Sequence, residues 1–198
     1  MGLINTSSNR IFLGINKGKI TRKNGEEIER FDAIEGVLSA INVRSVDIKG
    51  EPTQFLDLII EDGGETYALS TQLNGGVSRS ILLSLASVQN FVGARVAINP
   101  YLSKDGEHTN VAVRVNGQKV SWVVSVDKLP AVKKVTVGTK TVIDDTDRAA
   151  YFNQLVAEIQ QRLKAAAATP QAASATDDGD MPDFSDEDSF FADGAEHI

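Results

Sequence analysis

The stretch that decides the fold runs from residue 33 to residue 70. It reads 33-AIEGVLSAINVRSVDIKG-50, 54-QFLDLIIED-62 and 65-ETYALS-70, with Gly-Glu-Pro and Gly-Gly at the two breaks. Each piece is rich in apolar and β-branched residues, the first alternates loosely with polar ones, and turn residues bound all three, which is typical of strands. The pattern predicts a three-stranded meander with an unusually long first strand.

The pattern then changes to that of one helix and two more strands. The segments 94-ARVAINPYL-102 and 109-TNVAVRVNG-117 predict strands joined by the turn-rich loop 103-SKDGEH-108. Before them, apolar residues at helical spacing predict a helix over 77–88: Val77, Ile81, Leu82, Leu85 and Val88. The predicted order is therefore β-β-β-α-β-β.

This order matches the OB-fold, a five-stranded and partly open Greek-key barrel. The long first strand and the helix between strands three and four both favour that architecture. We therefore predict a mainly β protein whose central domain spans residues 31–143. An SH3-like barrel is the alternative, since no residue motif separates the two.

Both sides of the predicted barrel carry additional elements. Residues 1–30 are predicted to form an N-terminal extension in which 10-RIFLGINKGKITRKNG-25 is a basic hairpin turning at Asn16-Lys17-Gly18. Residues 120–138 predict further strands after the barrel. Residues 144–168 predict an amphipathic helix that packs on the domain or on another subunit, with this apolar stripe: Phe152, Leu155, Val156, Ile159 and Leu163. A homo-oligomer is thus one of the two outcomes.

The net charge of -7 is concentrated at the C-terminal end of the chain. Residues 165–198 contain nine acidic residues and no Lys or Arg, so residues 1–164 carry 20 basic and 27 - 9 = 18 acidic residues, a net of +2. The last 30 residues, 169–198, have few aliphatic residues and many like charges. Such a segment buries too little apolar surface to offset its ordering entropy, so we predict a disordered acidic tail.

The chain lacks the residue constellations and motifs by which common enzyme sites are recognised. There is no cysteine, the two histidines are His108 and His197, and no P-loop or dinucleotide fingerprint occurs. Asp144 and Asp145 could bind a metal ion, but acidic residues also suit the N-terminus of the predicted helix. We predict a protein that is not an enzyme and that uses no cofactor and no metal.

Single-stranded nucleic acid is held by a positive groove and by aromatic rings that stack on bases. Two predicted loops carry such residues. The N-terminal hairpin has Lys17, Lys19, Arg22 and Lys23, and the region around the late loop has Tyr101, Lys104, Arg114 and Lys119. The alternatives are an ordinary solvated turn for the first group and a ring that closes the barrel end for Tyr101.

Four further candidates lie elsewhere in the predicted domain. Arg44 and Lys49 are placed at the end of the first barrel strand and in the loop after it, and Tyr67 on the third strand, where an exposed ring would face the groove. Trp122 either stacks on a base or anchors the segment after the barrel in the core. Phe55 and Phe91 are predicted to be packing residues.

The whole arrangement resembles single-stranded DNA-binding proteins of the bacterial or bacteriophage kind, in which an acidic tail follows an OB domain. The residues that carry the resemblance are 177-DDGDMPDFSDEDSFFADG-194. The resemblance implies that the tail recruits replication, recombination and repair proteins such as a polymerase, helicase, primase or recombinase. The implied hydrophobic anchors and steering charges are Phe184, Phe190, Phe191, Asp183, Asp186, Glu187 and Asp188.

Two departures from that family are visible. The chain continues past the aromatic residues to Ile198, whereas the family's tails end in Pro-Phe or Phe, and a basic hairpin precedes the barrel. The tail's nine acids are also expected to compete with nucleic acid for a basic groove. An RNA-binding module and a protein-binding adaptor remain the alternative functions.

The N-terminus lacks a secretion signal, and no apolar run approaches the roughly 20 residues that span a bilayer. We therefore expect a soluble protein in the cytoplasm, which would be that of a bacterial host if a phage encodes it.

Overall fold

The computed structural model describes residues 10–137 and 140–168, and within them the protein is mainly β with a long helix at the C-terminal end. The strands are β1 (Arg10–Asn16), β2 (Lys19–Asn24), β3 (Glu27–Phe31), β4 (Ile34–Ile48), β5 (Glu51–Asp62), β6 (Glu65–Gln72), β7 (Arg95–Leu102), β8 (Thr109–Val115), β9 (Gln118–Lys119), β10 (Lys133–Val137) and β11 (Lys140–Asp144). The helices are α1 (Gly76–Ala86) and α2 (Thr146–Ala168), with a short 3-10 turn at Val126–Lys128.

Nine strands form one sheet in the order β3-β2-β1-β6-β5-β4-β7-β8-β9. The predicted meander is present as β4, β5 and β6, and the predicted helix and the two strands after it are α1, β7 and β8. Strand β4 is the longest, and a register shift between Leu38 and Ala40 lets it bend. Its first four residues pair with β7, while almost its whole length pairs with β5.

The N-terminal hairpin belongs to this sheet and is not a separate appendage. Strand β1 pairs in parallel with β6, with Arg10 opposite Thr66 and Leu13 opposite Leu69, and β2 and β3 continue the sheet outward. Among the described strands, β6 thus has β1 and not β8 as its second neighbour. A five-stranded barrel closed by backbone pairing is therefore not formed.

The sheet nevertheless curls until its two halves touch. The backbone N–H of Gly18, in the β1–β2 turn, donates to Thr109 Oγ1 at 3.1 Å. Gly18 has φ +71°, and a Cβ there would lie 2.7 Å from the backbone nitrogen of Leu102 and 2.9 Å from the carbonyl carbon of Tyr101. Glycine is required because no other residue fits between the turn and the end of β7.

The core lies inside this curl and is closed by the two helices. Leu56, Leu58, Ile60 and Leu69 point inward from β5 and β6, and α1 covers them with Leu82 and Leu85 among others. The apolar stripe predicted for the C-terminal helix is buried at every position: Phe152, Leu155, Val156, Ile159 and Leu163.

Helix α2 also covers the part of β4 that β7 leaves unpaired. Gln160 Nε2 donates to the carbonyl of Ile41 at 2.6 Å, and Arg162 Nη1 donates to the carbonyls of Ala86 at 2.6 Å and Val88 at 2.9 Å. An uncovered strand edge and an uncapped helix end both leave backbone groups without partners. The helix predicted to pack on the domain or on a neighbour therefore packs on its own domain.

The segment after β8 differs from the predicted run of strands. Only the two residues of β9 join the main sheet, while β10 and β11 form a separate two-stranded sheet. Residues 120–132, which connect β9 to β10, are mostly irregular, and the side chain of Leu129 among them is buried. Neither helix in the described part of the chain has the length and apolarity needed to cross a membrane.

Candidate nucleic-acid interface

The sheet has an inner face toward the core and an outer face that no helix covers in the described residues. Strand alternation and register assign the side chains: Ile11, Leu13 and Ile15 of β1 point inward, so Phe12 points outward. We call the outward surface of β1 to β6 the outer face.

Phe12 is the most prominent aromatic residue on this face. Its side chain is 69% exposed, and it lies opposite Ala68 of β6, which lies opposite Ile59 of β5, itself opposite Ala40 of β4. An exposed ring on the surface of a sheet is available to stack on a base. Beside it in this row, Ala68 and Ile59 are buried, at 3% and 7% exposure, so Phe12 is the exposed apolar member of these three.

A second aromatic residue of the outer face is Phe55, which lies on β5 four residues before Ile59. The Arg44 guanidinium sits 5.0 Å from the centroid of the Phe55 ring, and the two residues oppose each other on β4 and β5. Arg44 Nε also donates to Asp57 Oδ2 at 2.6 Å, so the cation is held in place by a carboxylate and a ring. Phe55, predicted to be packing, is half-buried and forms part of the outer face.

The outer face is basic on its N-terminal side. Strands β1, β2, β3 and β6, all within the described residues, carry no acidic side chain on this face, because Glu27 and Glu29 alternate to the other side. Their outward cations are Arg10, Lys19, Lys23 and Arg30. Among the described residues, Lys19 is ion-paired with Asp32, whereas Arg10, Lys23 and Arg30 form no ion pair. A phosphate chain crossing these strands would meet those three cations, and the outward acids Asp57 and Glu61 lie on β5.

The structure brings together parts of the two predicted clusters. Gly18 packs against the end of β7, so the turn that carries Lys17 meets the end of the strand that carries Tyr101, which is 47% exposed. Lys104 is exposed in the β7–β8 loop that begins just beyond. The basic hairpin tip and the late loop are thus one surface, which extends the outer face at one end of the sheet.

Two predicted residues point to the inner face of the sheet and not to the outer face. Arg22 opposes Leu13 and lies 3.8 Å from Glu29 Oε2, and Tyr67 opposes Ile11, with its ring packed against the core. Both line a cavity of about 290 Å³ with Phe31 and Ile34. The Tyr67 hydroxyl donates to Glu65, and this hydrogen bond, with partial burial, raises the pKa of the tyrosine. Tyr67, whose ring was predicted to face the groove if exposed, is half-buried and lines this cavity on the inner face.

Arg114 and Lys119 lie away from the late loop with which they were grouped. They oppose each other on β8 and β9, at the end of β8 far from Tyr101. Nearby Arg95 is bound at 3.1 Å by Glu35 and at 2.8 Å by Asp62, which raises its pKa further. Lys49 is exposed in the β4–β5 turn with φ 57°. The strand pairing therefore places Lys49 next to neither of the two predicted basic clusters.

Trp122 is not a core residue. It is 38% exposed in the segment after β9, next to Val123 at 44%. The Val123 N–H donates to the carbonyl of Leu83 at 2.9 Å, and Ser87 Oγ donates to the carbonyl of Ser121 at 2.9 Å, so the segment is held against the end of α1. The ring therefore lies on the helix side of the molecule.

One acidic group in the late loop is already engaged by its own loop. Asp105 accepts hydrogen bonds from the Ser103 hydroxyl and the Glu107 N–H, which lower its pKa. Glu107 and His108 bring possible ligand atoms within 4.8 Å of it, all exposed. Hydrogen bonds within the loop account for this cluster.

Sequence reasoning missed the outward residues Arg10, Phe12 and Arg30. The signal was present in 10-RIFLGIN-16, where Phe12 falls out of phase with three inward aliphatic residues. The same alternation in β3 separates Arg30 from Glu29. The prediction of a basic hairpin over residues 10–25 does not assign its residues to two faces, and it does not include β3.

Comparison of the chain with family models, curated proteins and solved structures gives no match. The tail residues Asp183, Phe184, Asp186, Glu187, Asp188, Phe190 and Phe191 lie outside the described residues.

Proposed function

We propose that this protein binds single-stranded DNA through the outer face and recruits replication, recombination or repair proteins through its acidic tail. The observation that carries the proposal is the combination of exposed Phe12 with the outward cations Arg10, Lys23 and Arg30 on the same face. Stacking on a ring requires an unpaired base, and phosphate contacts require positive charge. Both requirements are met on one uncovered surface.

The strand order supports an OB-type core within this proposal. Strands β4 to β8 with α1 follow the OB order, and the bent β4 pairs with both β5 and β7 as a first barrel strand does. Such folds bind oligonucleotides on the second and third strands, which here are β5 and β6. Phe55 lies on β5, and β1 extends the same surface with Phe12.

The test is a titration of the full chain into fluorescently labelled oligo-dT, matched duplex DNA and matched RNA over a salt series. We expect dT binding that exceeds duplex binding and weakens steeply with salt, because phosphate contacts release counterions. Equal affinity for the RNA would assign the surface to RNA as well, since stacking and charge do not read the sugar. Absence of salt-sensitive binding to every oligonucleotide would refute the proposal and favour a protein-binding adaptor.

A further inference from the structure

The segment after β9 exposes an apolar and basic surface that nucleic-acid binding through the outer face does not use. Trp122, Val123 and Val126 are 38%, 44% and 45% exposed, and Lys119 and Lys128 flank them. We call these five residues the Trp122 patch. Three large apolar side chains exposed within five positions form a cluster, unlike the single exposed apolar residues that are common on protein surfaces.

The patch is built on fixed backbone. Hydrogen bonds from Val123 to Leu83 and from Ser87 to Ser121 hold it against α1, and Leu129 is buried beneath the segment. Beside it, an open groove of about 530 Å³ is lined by Val88, Val115 and Val120 among others. Apolar side chains on anchored backbone next to a groove offer a preorganised contact for an aromatic side chain.

The chain leaves its last described helix at this same end of the molecule. Arg162 of α2 donates to the carbonyls of Ala86 and Val88, so the final turns of α2 lie at the C-terminal end of α1, where the patch also lies. Thirty residues follow Ala168. At about 3.3 Å per extended residue, the 15 residues from 169 to 183 reach up to roughly 50 Å, which is ample for so short a return.

The chemistry of that segment complements the patch. Residues 183–191 read DFSDEDSFF, with three phenylalanines among four acids. We infer that residues 183–191 dock on the Trp122 patch, with phenylalanine rings against Trp122 and Val126 and carboxylates beside Lys119 and Lys128. Tethering gives an effective concentration on the order of 1 mM, so a weak contact is populated. A docked tail is withheld from partner proteins while the outer face stays free.

The outer face is the competing location, because it is also basic. It lies on the opposite side of the sheet from α1, and its aromatic residues are separated from the patch by the core. The two locations make different predictions for Trp122, which is the single tryptophan of the chain and reports on the patch alone.

The experiment compares Trp122 emission and acrylamide quenching in full-length variants. The tail variant carries Phe184→Ala, Phe190→Ala and Phe191→Ala and keeps every acid. The patch variant is Val126→Asp, and the control is Ile28→Asp, which also replaces a β-branched apolar side chain by a carboxylate, at a 61% exposed residue on β3.

We expect the tail variant and the patch variant each to shift the emission to longer wavelength and to raise quenching, while the control matches the unmodified chain. Combining the tail and patch changes should add nothing, because both remove one contact. Additive effects, or unchanged emission in the tail variant, would overturn the inference. Quenching of Trp122 by oligo-dT in the tail variant would also overturn it, since the patch would then be a nucleic-acid site.

Discussion

At the scale of single residues, the proposal depends on side chains that contribute little to folding. Phe12 is mostly exposed, Arg10 projects outward from β1, whose other face holds the core, and Arg30 projects outward from β3, which is exposed along most of its length. At these positions the protein exposes an apolar ring or a positive charge to solvent, and a functional contact explains that exposure. Their substitution should therefore separate binding from stability.

Phe12→Ala should weaken oligo-dT binding by about 1–3 kcal/mol, or roughly 5- to 150-fold, because one base loses its stacking partner. The free energy of unfolding should change little, since the ring is 69% exposed. Fluorescence anisotropy and urea denaturation measure the two quantities. Val92→Ala, at a 39% exposed residue in the α1–β7 loop, is the control. Equal affinity of the Phe12 variant and the control would remove Phe12 from the interface.

Two glycines in similar conformations provide a second test. Gly18 and Gly25 have φ +71° and +62°, but a Cβ at Gly25 meets nothing within 4 Å. Gly25→Ala should cost about 1–2 kcal/mol from the left-handed conformation alone. Gly18→Ala should cost more, since its Cβ meets the backbone of Leu102, and it should also weaken dT binding by displacing the β1–β2 turn, with Lys17, from the end of β7. Urea denaturation and anisotropy compare them, and equal losses of stability would refute the close contact.

At the scale of elements, two additions complete the sheet that β4 to β8 begin. Strand β1 occupies the free edge of β6, and α2 covers the free edge of β4. Strand β1 pairs with backbone groups of β6 that would otherwise invite pairing with another chain, and α2 shields the edge of β4 and bonds its Ile41 carbonyl through Gln160. Strand β1 enlarges the proposed binding surface, and α2 leaves that surface open.

Arg162→Ala should destabilise the fold by about 1–3 kcal/mol, because the carbonyls of Ala86 and Val88 lose their donors at a partly buried helix end. Urea denaturation of the full chain measures the change. Gln161→Ala, at the exposed position one residue earlier, is the matched control and should be near neutral. Equal stability of the two variants would mean that water replaces the arginine without cost.

At the scale of the whole molecule, the charge is divided between the two parts of the chain. Residues 1–164 have a net charge of +2, and the full chain has -7. Long-range repulsion between the tail and a polyanion is screened beyond about 10 Å at 0.1 M salt. The effect of the tail on binding is therefore a function of ionic strength, wherever the tail docks.

Deleting residues 177–198 removes nine acids and should tighten oligo-dT binding at low salt. The affinities of the deleted and full chains should converge as salt is raised. A salt series by anisotropy measures both curves, and the tail variant that keeps its acids should follow the full chain. Identical affinities at every salt concentration would show that the tail does not influence the nucleic-acid interface.

The sequence by itself determined the local elements and the division of charge. Alternation in 33–70, the helical spacing of Val77 to Val88 and the stripe of α2 each depend on neighbours a few residues apart, so periodicity predicts them. The acidic composition of the tail is likewise a local property. The alternation in β1 likewise predicts which side chains share a face, since Phe12 is out of phase with Ile11 and Leu13.

Only the tertiary structure decided how those elements combine. The parallel pairing of β1 with β6, the contact of Gly18 with the end of β7 and the position of Trp122 beside α1 all join residues far apart in the chain. No short-range pattern encodes which strand takes a free edge, because that choice depends on the burial of the whole assembled sheet. The long-range packing therefore placed Phe12 and its cations on one face, and moved Tyr67 inward and Trp122 to the other side.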